Sequence, residues 1–171
     1  MGHDVVLTTD GSVAPPNPGA IGFAAVVEPR DRPVVELTGA LPAGTNNTAE
    51  LRAVLLGLEW VRDHAGLVTI ARRDGHPNPH VLVRTDSRLV MNCAQRVCGR
   101  NAPPLQDLSA QYDGLVAGPP VLTVAWEWVR GHSGDARNER ADRLAFEART
   151  GLQETLRLEI GPGRFHIPDL A

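Results

Sequence analysis

Asp10, Glu50, Asp86, Asp142 and His132 are the side chains of this sequence whose types and placement could do chemistry together. Asp10 ends the apolar run of VVLTTDGS, Val5 to Ser12, and Asp86 ends the shorter run Val81 to Thr85, again with a serine next. β-Branched runs closed in this way read as strands, the first one ending in an Asp-Gly turn. Two such strands lying side by side would bring both aspartates out at one sheet edge. Glu50 opens a helical pattern and Asp142 lies within another. Taken singly, each acid has an ordinary explanation as a turn former or a partner of a helix dipole. Brought together without matched cations they would repel one another and resist ionising, and a bound cation relieves this. An all-oxygen set selects a hard ion, Mg²⁺ first and Mn²⁺ second. Two such ions roughly 4 Å apart would clamp a phosphoryl transfer, one activating water and one stabilising the leaving oxygen. His132, in the glycine-flanked loop RGHSGD ten positions before Asp142, is placed to carry a proton or aid product release.

The elements that must position these groups follow from periodicity. After the first strand, the Pro-rich loop Val13 to Gly19 leads to strands at Ala20 to Glu28 and Val34 to Leu41, a meander. From Thr45 to His64, Ala49, Ala53, Val54, Leu58 and Val61 recur at helical spacing, with Asn47 and Glu50 spaced as a capping box. Gly66 to His80 reads as a surface excursion carrying Arg72, Arg73, His76 and His80, whose histidines are a weak metal signal without further ligands. Helices are expected from Ser87 to about Cys98, from Leu105 to Val116 and from Ala136 to Thr150. Between them Val121 to Val129 reads as a strand with Leu122, Val124, Trp126 and Trp128 on one face. The order predicts one mixed α/β sheet with helices packed on its faces.

Composition limits the functional classes. A chain of 171 residues builds one core, and residues 151–171 are expected as a tail that docks on it. No apolar run nears the ~20 residues of a membrane span, and no secretory leader is seen, so a cytoplasmic protein free of membranes is expected. Cys93 and Cys98 are then expected as small buried hydrophobes rather than a disulfide. The net charge of −3 excludes a protein that holds nucleic acid by bulk electrostatics, so local geometry must do any recognising. All 17 basic residues are arginine, from which no function follows.

The segments TTDGS at Thr8 to Ser12, TNNTAEL at Thr45 to Leu51, TDS at Thr85 to Ser87 and WVRGHSGDARNERADRLA at Trp128 to Ala145 together resemble type 1 ribonuclease H, from Val5 to about Arg149. The resemblance implies a ribonuclease H-like α/β fold over residues 1–150: a five-stranded mixed sheet in the order 3-2-1-4-5, strand 2 antiparallel, helices on both faces and the Asp10 strand at the centre. It implies a metal-dependent endoribonuclease that cuts the RNA strand of RNA/DNA hybrids, leaving 5′-phosphate and 3′-hydroxyl ends; a monomer is expected. On the matched positions, Asp10 would bridge two metals. Asp142 would complete the water-activating site, Glu50 and Asp86 the leaving-group site, and His132 would be a mobile auxiliary. Asn17, Asn46 and Asn47 resemble the family's readers of 2′-hydroxyls, and Thr45 a contact to a DNA phosphate.

The chain departs from the family's pattern in several places. Arg88, also a candidate nucleic-acid contact, stands where many relatives carry a Gln that reads a base edge or sugar, and Ala43 where an arginine often holds a phosphate. The basic protrusion of some relatives is reduced, with Arg72 and Arg73 as candidate replacements for its grip. Two other readings remain open at this point: a same-fold nuclease with broader duplex substrates, and a catalytically silent nucleic-acid-binding module. The retained acids disfavour the second.

Overall fold

Every hydrogen-bonding edge of the sheet grows outward from β1 (Val5–Val13), which pairs antiparallel with β2 (Gly19–Pro29) on one side and parallel with β4 (His80–Thr85) on the other. The computed structural model describes residues 2–69, 78–95 and 103–160. Outside the central three strands, β3 (Val35–Gly44) continues the meander antiparallel to β2, and β5 (Thr123–Trp128) pairs parallel to β4. The resulting order is 3-2-1-4-5, the ribonuclease H-like arrangement expected from the motifs. The helices are α1 (Asn46–Asp63), α2 (Ala65–Thr69), α3 (Arg88–Ala94), α4 (Pro103–Ala117) and α5 (Ala136–Ile160).

The period of β2 shows how the two faces are divided. Ala25 and Val27 point to the core that α1 and α4 share with Leu7, Val81 and Val83. Ala24 and Val26, one residue out of phase, meet Ala141, Leu144 and Ala145 of α5. A fully buried leucine such as Leu7 or Leu58 holds its place by several kilocalories, since truncating such a residue to alanine costs about 2–5 kcal/mol. Small residues set the spacing on the α5 side. A Cβ on Gly22 would sit 2.1 Å from the Ala145 carbonyl oxygen, so the helix backbone lies directly on the strand there.

Several expected boundaries are corrected. The Asp10-Gly11 turn is not formed: β1 runs on to Val13, with Asp10 opposite Ala24 and Gly11 opposite Phe23, because β2 offers partners along the whole strand. The capping box of α1 uses Thr45 and Thr48, not Asn47 and Glu50. The Thr48 amide donates to Thr45 Oγ1 at 3.2 Å and the Thr45 amide to Thr48 Oγ1 at 2.8 Å. Trp128 does not join the core face of β5 but stays 38% exposed.

The helix expected through Cys98 stops at Ala94, and Cys93 is disulfide-bonded rather than a free buried thiol. A helix carried through both cysteines would point them about 140° apart, a constraint that ends with α3. Cys98, the chain's other cysteine, lies outside the described residues. The change from helix to tail expected at Gly151 falls inside α5, which continues to Ile160; the docking expected for the tail beyond that point lies outside the described residues. So do Arg72, Arg73 and His76, while His80 opens β4 and its amide donates to Asp4 Oδ2 at 2.8 Å. Among the described residues no helix is long and apolar enough to cross a membrane.

Candidate active site

Gly11 is the reason that two carboxylates from different elements can meet. A Cβ at this position would lie 2.4 Å from the Glu50 backbone nitrogen and 2.7 Å from the Ala49 carbonyl carbon, so α1 can pack onto β1 only over a glycine. The packing brings Glu50 beside Asp10, and both are nearly buried, at 4% and 6% exposure. The parallel register of β1 and β4 brings the half-buried Asp86 to the same edge. Asp10, Glu50 and Asp86 each offer an oxygen, and the three oxygens lie within 4.8 Å of one another.

These acids open into a hollow of about 350 Å³ lined by Asp10, Gly11, Asn46, Glu50, Asp86, Ser87, His132 and Asp142. Asp142 comes from the half-buried side of α5, and His132 stands exposed in the loop before it. The backbone of His132 is left-handed (φ 51°), as is that of Gly134 (φ 86°), and a left-handed non-glycine residue costs about 1 kcal/mol or more. The Ser133 hydroxyl ties this loop down by donating to the Arg130 carbonyl at 2.6 Å.

The electrostatics are those of acids crowded out of water. Burial first, then the charges of Asp86 and Asp142, push the Asp10 carboxyl up to about 7, although the Gly11 amide donates to its Oδ1 at 2.7 Å and works against the rise. Burial, followed by the charges of Asp10 and Asp86, raises Glu50 well above the ordinary carboxylate range. Glu50 Oε2 is buried without a hydrogen-bond partner among the described residues. An oxygen left this way costs free energy unless a cation or donor meets it.

Two supports were not legible beforehand. Asn138, buried on the first turn of α5, donates through Nδ2 to Asp86 Oδ2 at 3.5 Å, and its own Oδ1 has no partner among the described residues. Its position four residues before Asp142 on one helix face was the available signal. Asp135 caps α5 by accepting from the amides of Arg137 and Asn138 at 3.1 and 3.0 Å through Oδ1. Its other oxygen takes Arg84 of β4 at 2.7 Å, which fixes the start of the helix that carries Asp142. The guanidinium accordingly holds the Asp135 carboxyl below its usual range.

Of the candidate nucleic-acid contacts, Asn46 alone lines the acid hollow. Thr45 lines a second hollow of about 590 Å³ with Ala43, Arg52 and Gln111, and its hydroxyl serves the α1 cap. Asn17 is exposed on the loop between β1 and β2, and Asn47 is half-buried beside Asn46. Arg88 is exposed next to Ser87, outside the hollow.

A sheet in this order, with acids from its two central strands joined by one from each flanking helix, defines a ribonuclease H-like fold with a carboxylate centre. The ribonuclease H family model matches residues 2–150, and the chain belongs to that family. A ribonuclease H of Cyanothece sp. is 34% identical over 162 residues, covering 88% of this chain and 92% of that protein. A ribonuclease H of Methylorubrum extorquens is also 34% identical, over 142 residues that cover 82% of this chain and 58% of that longer relative. Among solved structures, the N-terminal RNase H domain of a Mycobacterium tuberculosis protein superposes with a TM-score of 0.69 at 29% identity, covering 91% of this chain and 99% of that one.

Proposed function

We propose that this protein is an endoribonuclease that hydrolyses the RNA strand of RNA/DNA hybrids with divalent metal ions, leaving 5′-phosphate and 3′-hydroxyl ends. The observation that carries the reading is the meeting of Asp10, Glu50 and Asp86 at one sheet edge, in a chain of the ribonuclease H family. The acids fit a metal. The donors are all oxygen, Asp10 is held to about 7 by burial and by its neighbours' charge, and one buried oxygen of Glu50 lacks a partner.

Asp10, Glu50, Asp86 and Asp142 would hold Mg²⁺, with Mn²⁺ as a substitute. Two such ions would supply a water nucleophile at neutral pH and charge stabilisation for the leaving oxygen. Asp10, which interacts with Glu50, Asp86 and Asp142 alike, would be the central ligand of the set. His132, exposed at the rim, is placed to carry a proton to or from the departing product. Asn46 supplies an amide at the lip that can both donate to and accept from a 2′-hydroxyl, the group that tells an RNA strand from DNA. Asn138 and the Gly11 amide hold Asp86 and Asp10 in orientation.

The test is incubation with RNA/DNA, RNA/RNA, DNA/DNA and single-stranded substrates in Mg²⁺, Mn²⁺ or chelator. Hybrid cleavage that needs metal is expected, with the other substrates left largely intact. Equal cleavage of RNA/RNA would mark a broader duplex nuclease, and no hybrid cleavage in either metal would leave a silent binding module.

A further inference from the structure

The arginines near the ends of the sheet are mostly neutralised. Arg84 is paired with Asp135 and Glu127, Arg137 with Glu28, and Arg140 with Glu36. Arg88 differs: it is exposed and has no acidic partner among the described residues. Its guanidinium carbon instead lies 4.1 Å from the centroid of the Trp128 ring. Trp128 is 38% exposed, and its Nε1–H donates to the backbone carbonyl of Asp86 at 2.9 Å. A free cation is therefore held over an aromatic platform, and the platform is fastened to the residue that supplies one of the clustered acids.

The chemistry of the arrangement selects its ligand. Stacking covers one face of the guanidinium and leaves the in-plane N–H edge open, and two parallel N–H groups match two oxygens of a phosphodiester. Lys or Gln at this position would lack either the planar fork or the charge. The cation is only two residues along the chain from Asp86, so a phosphate held there is one close to the bond at the acids.

We propose that Arg88, stacked on Trp128, is a clamp for a backbone phosphodiester flanking the bond to be cut, and that it sets the register of the duplex against the acids. The inference rests on the nuclease reading above. It assigns Arg88 to the backbone rather than to a base edge, and it gives Trp128 a positioning role.

The experiment is steady-state hybrid cleavage by the full chain at a series of salt concentrations, for the wild type, Arg88→Ala, Arg88→Lys, Trp128→Phe and Trp128→Ala. Arg88→Ala is expected to raise KM about tenfold and to lower the dependence of log KM on log salt by roughly one unit, the signature of one lost phosphate contact. Arg88→Lys should keep the salt slope and recover part of the KM. Trp128→Phe keeps a ring under the cation and should stay within about twofold of wild type in KM, whereas Trp128→Ala should raise KM about two- to fivefold. Hybrids carrying one neutral methylphosphonate, walked along the RNA strand and then along the DNA strand, locate the phosphate. At one position the wild type should weaken to the level of Arg88→Ala, with no further loss in the variant. An unchanged KM and salt slope in Arg88→Ala overturns the proposal, as does a loss that follows guanine placement rather than any phosphate. Failure of the wild type to cleave hybrids at all would count against the nuclease reading instead.

Discussion

Replacing Asp10 with Asn should stabilise the metal-free protein while abolishing its activity. The Asp10 carboxyl is raised from 3.8 to about 7, first by burial and then by Asp86 and Asp142. Between those two values the folded state holds a proton that the unfolded chain has released. Stability of the metal-free protein therefore falls as pH rises from about 4 to about 7 and then levels off. About three units at 1.36 kcal/mol each give an upper figure of about 4 kcal/mol at pH 8. Glu50, itself raised by Asp10, takes up part of this, so a gain of about 2–4 kcal/mol is expected for Asp10→Asn. The asparagine is close in shape and keeps an oxygen for the Gly11 amide. For a domain of this size the gain corresponds to roughly 5–15 °C in Tm. The assay is thermal and urea unfolding in chelator from pH 4 to pH 8, repeated in excess Mg²⁺. The variant's advantage should be largest at pH 8, vanish near pH 4, and shrink in Mg²⁺ as the ion stabilises the wild type by mass action. Equal or lower stability of the variant at pH 8 without metal would refute the reasoning.

Other perturbations test the scaffold. Gly11→Ala sets a methyl group against the backbone of α1; it should cost about 2 kcal/mol or more in urea unfolding and reduce cleavage, because Glu50 is displaced. Asp135→Ala removes the cap of α5 and leaves Arg84 with Glu127 alone of its two acidic partners, costing about 1–2 kcal/mol in chemical denaturation. Asn138→Ala should raise the Mg²⁺ concentration for half-maximal cleavage about tenfold or more, as measured by metal titration, since loss of the group that orients a ligand typically costs ~10–100-fold. His132→Ala should lower kcat by about 10²-fold with KM little changed, the behaviour of a lost proton carrier in steady-state kinetics.

The sequence exposed the acids and the topology because both depend on chain order and period. The strand runs that lead to Asp10 and Asp86, and the switch to helical spacing at Thr45, survive folding. What it hid depends on contacts between distant segments. Asp-Gly reads locally as a turn, yet the pairing of Gly11 with Phe23 keeps it in a strand. Glu50 resembles a helix-opening carboxylate, yet α1 presses onto Gly11 and buries it. Trp128 fits the apolar alternation of β5, but its N–H finds the carbonyl of Asp86 and its ring stays partly in solvent. The tie between Arg84 and Asp135 joins residues 51 apart and has no local signature.

The central claim is that Asp10, with Glu50, Asp86 and Asp142 around it, holds the metal that cleaves RNA in a hybrid. Its most direct test is a hybrid labelled separately on each strand, incubated with wild type and Asp10→Asn in Mg²⁺ and in chelator, with the ends of the products analysed. Cuts are expected within the RNA strand only, bearing 5′-phosphate and 3′-hydroxyl ends, dependent on Mg²⁺ and absent in the variant. Cleavage by Asp10→Asn at the wild-type rate, cleavage in chelator, or cuts in the DNA strand would contradict it.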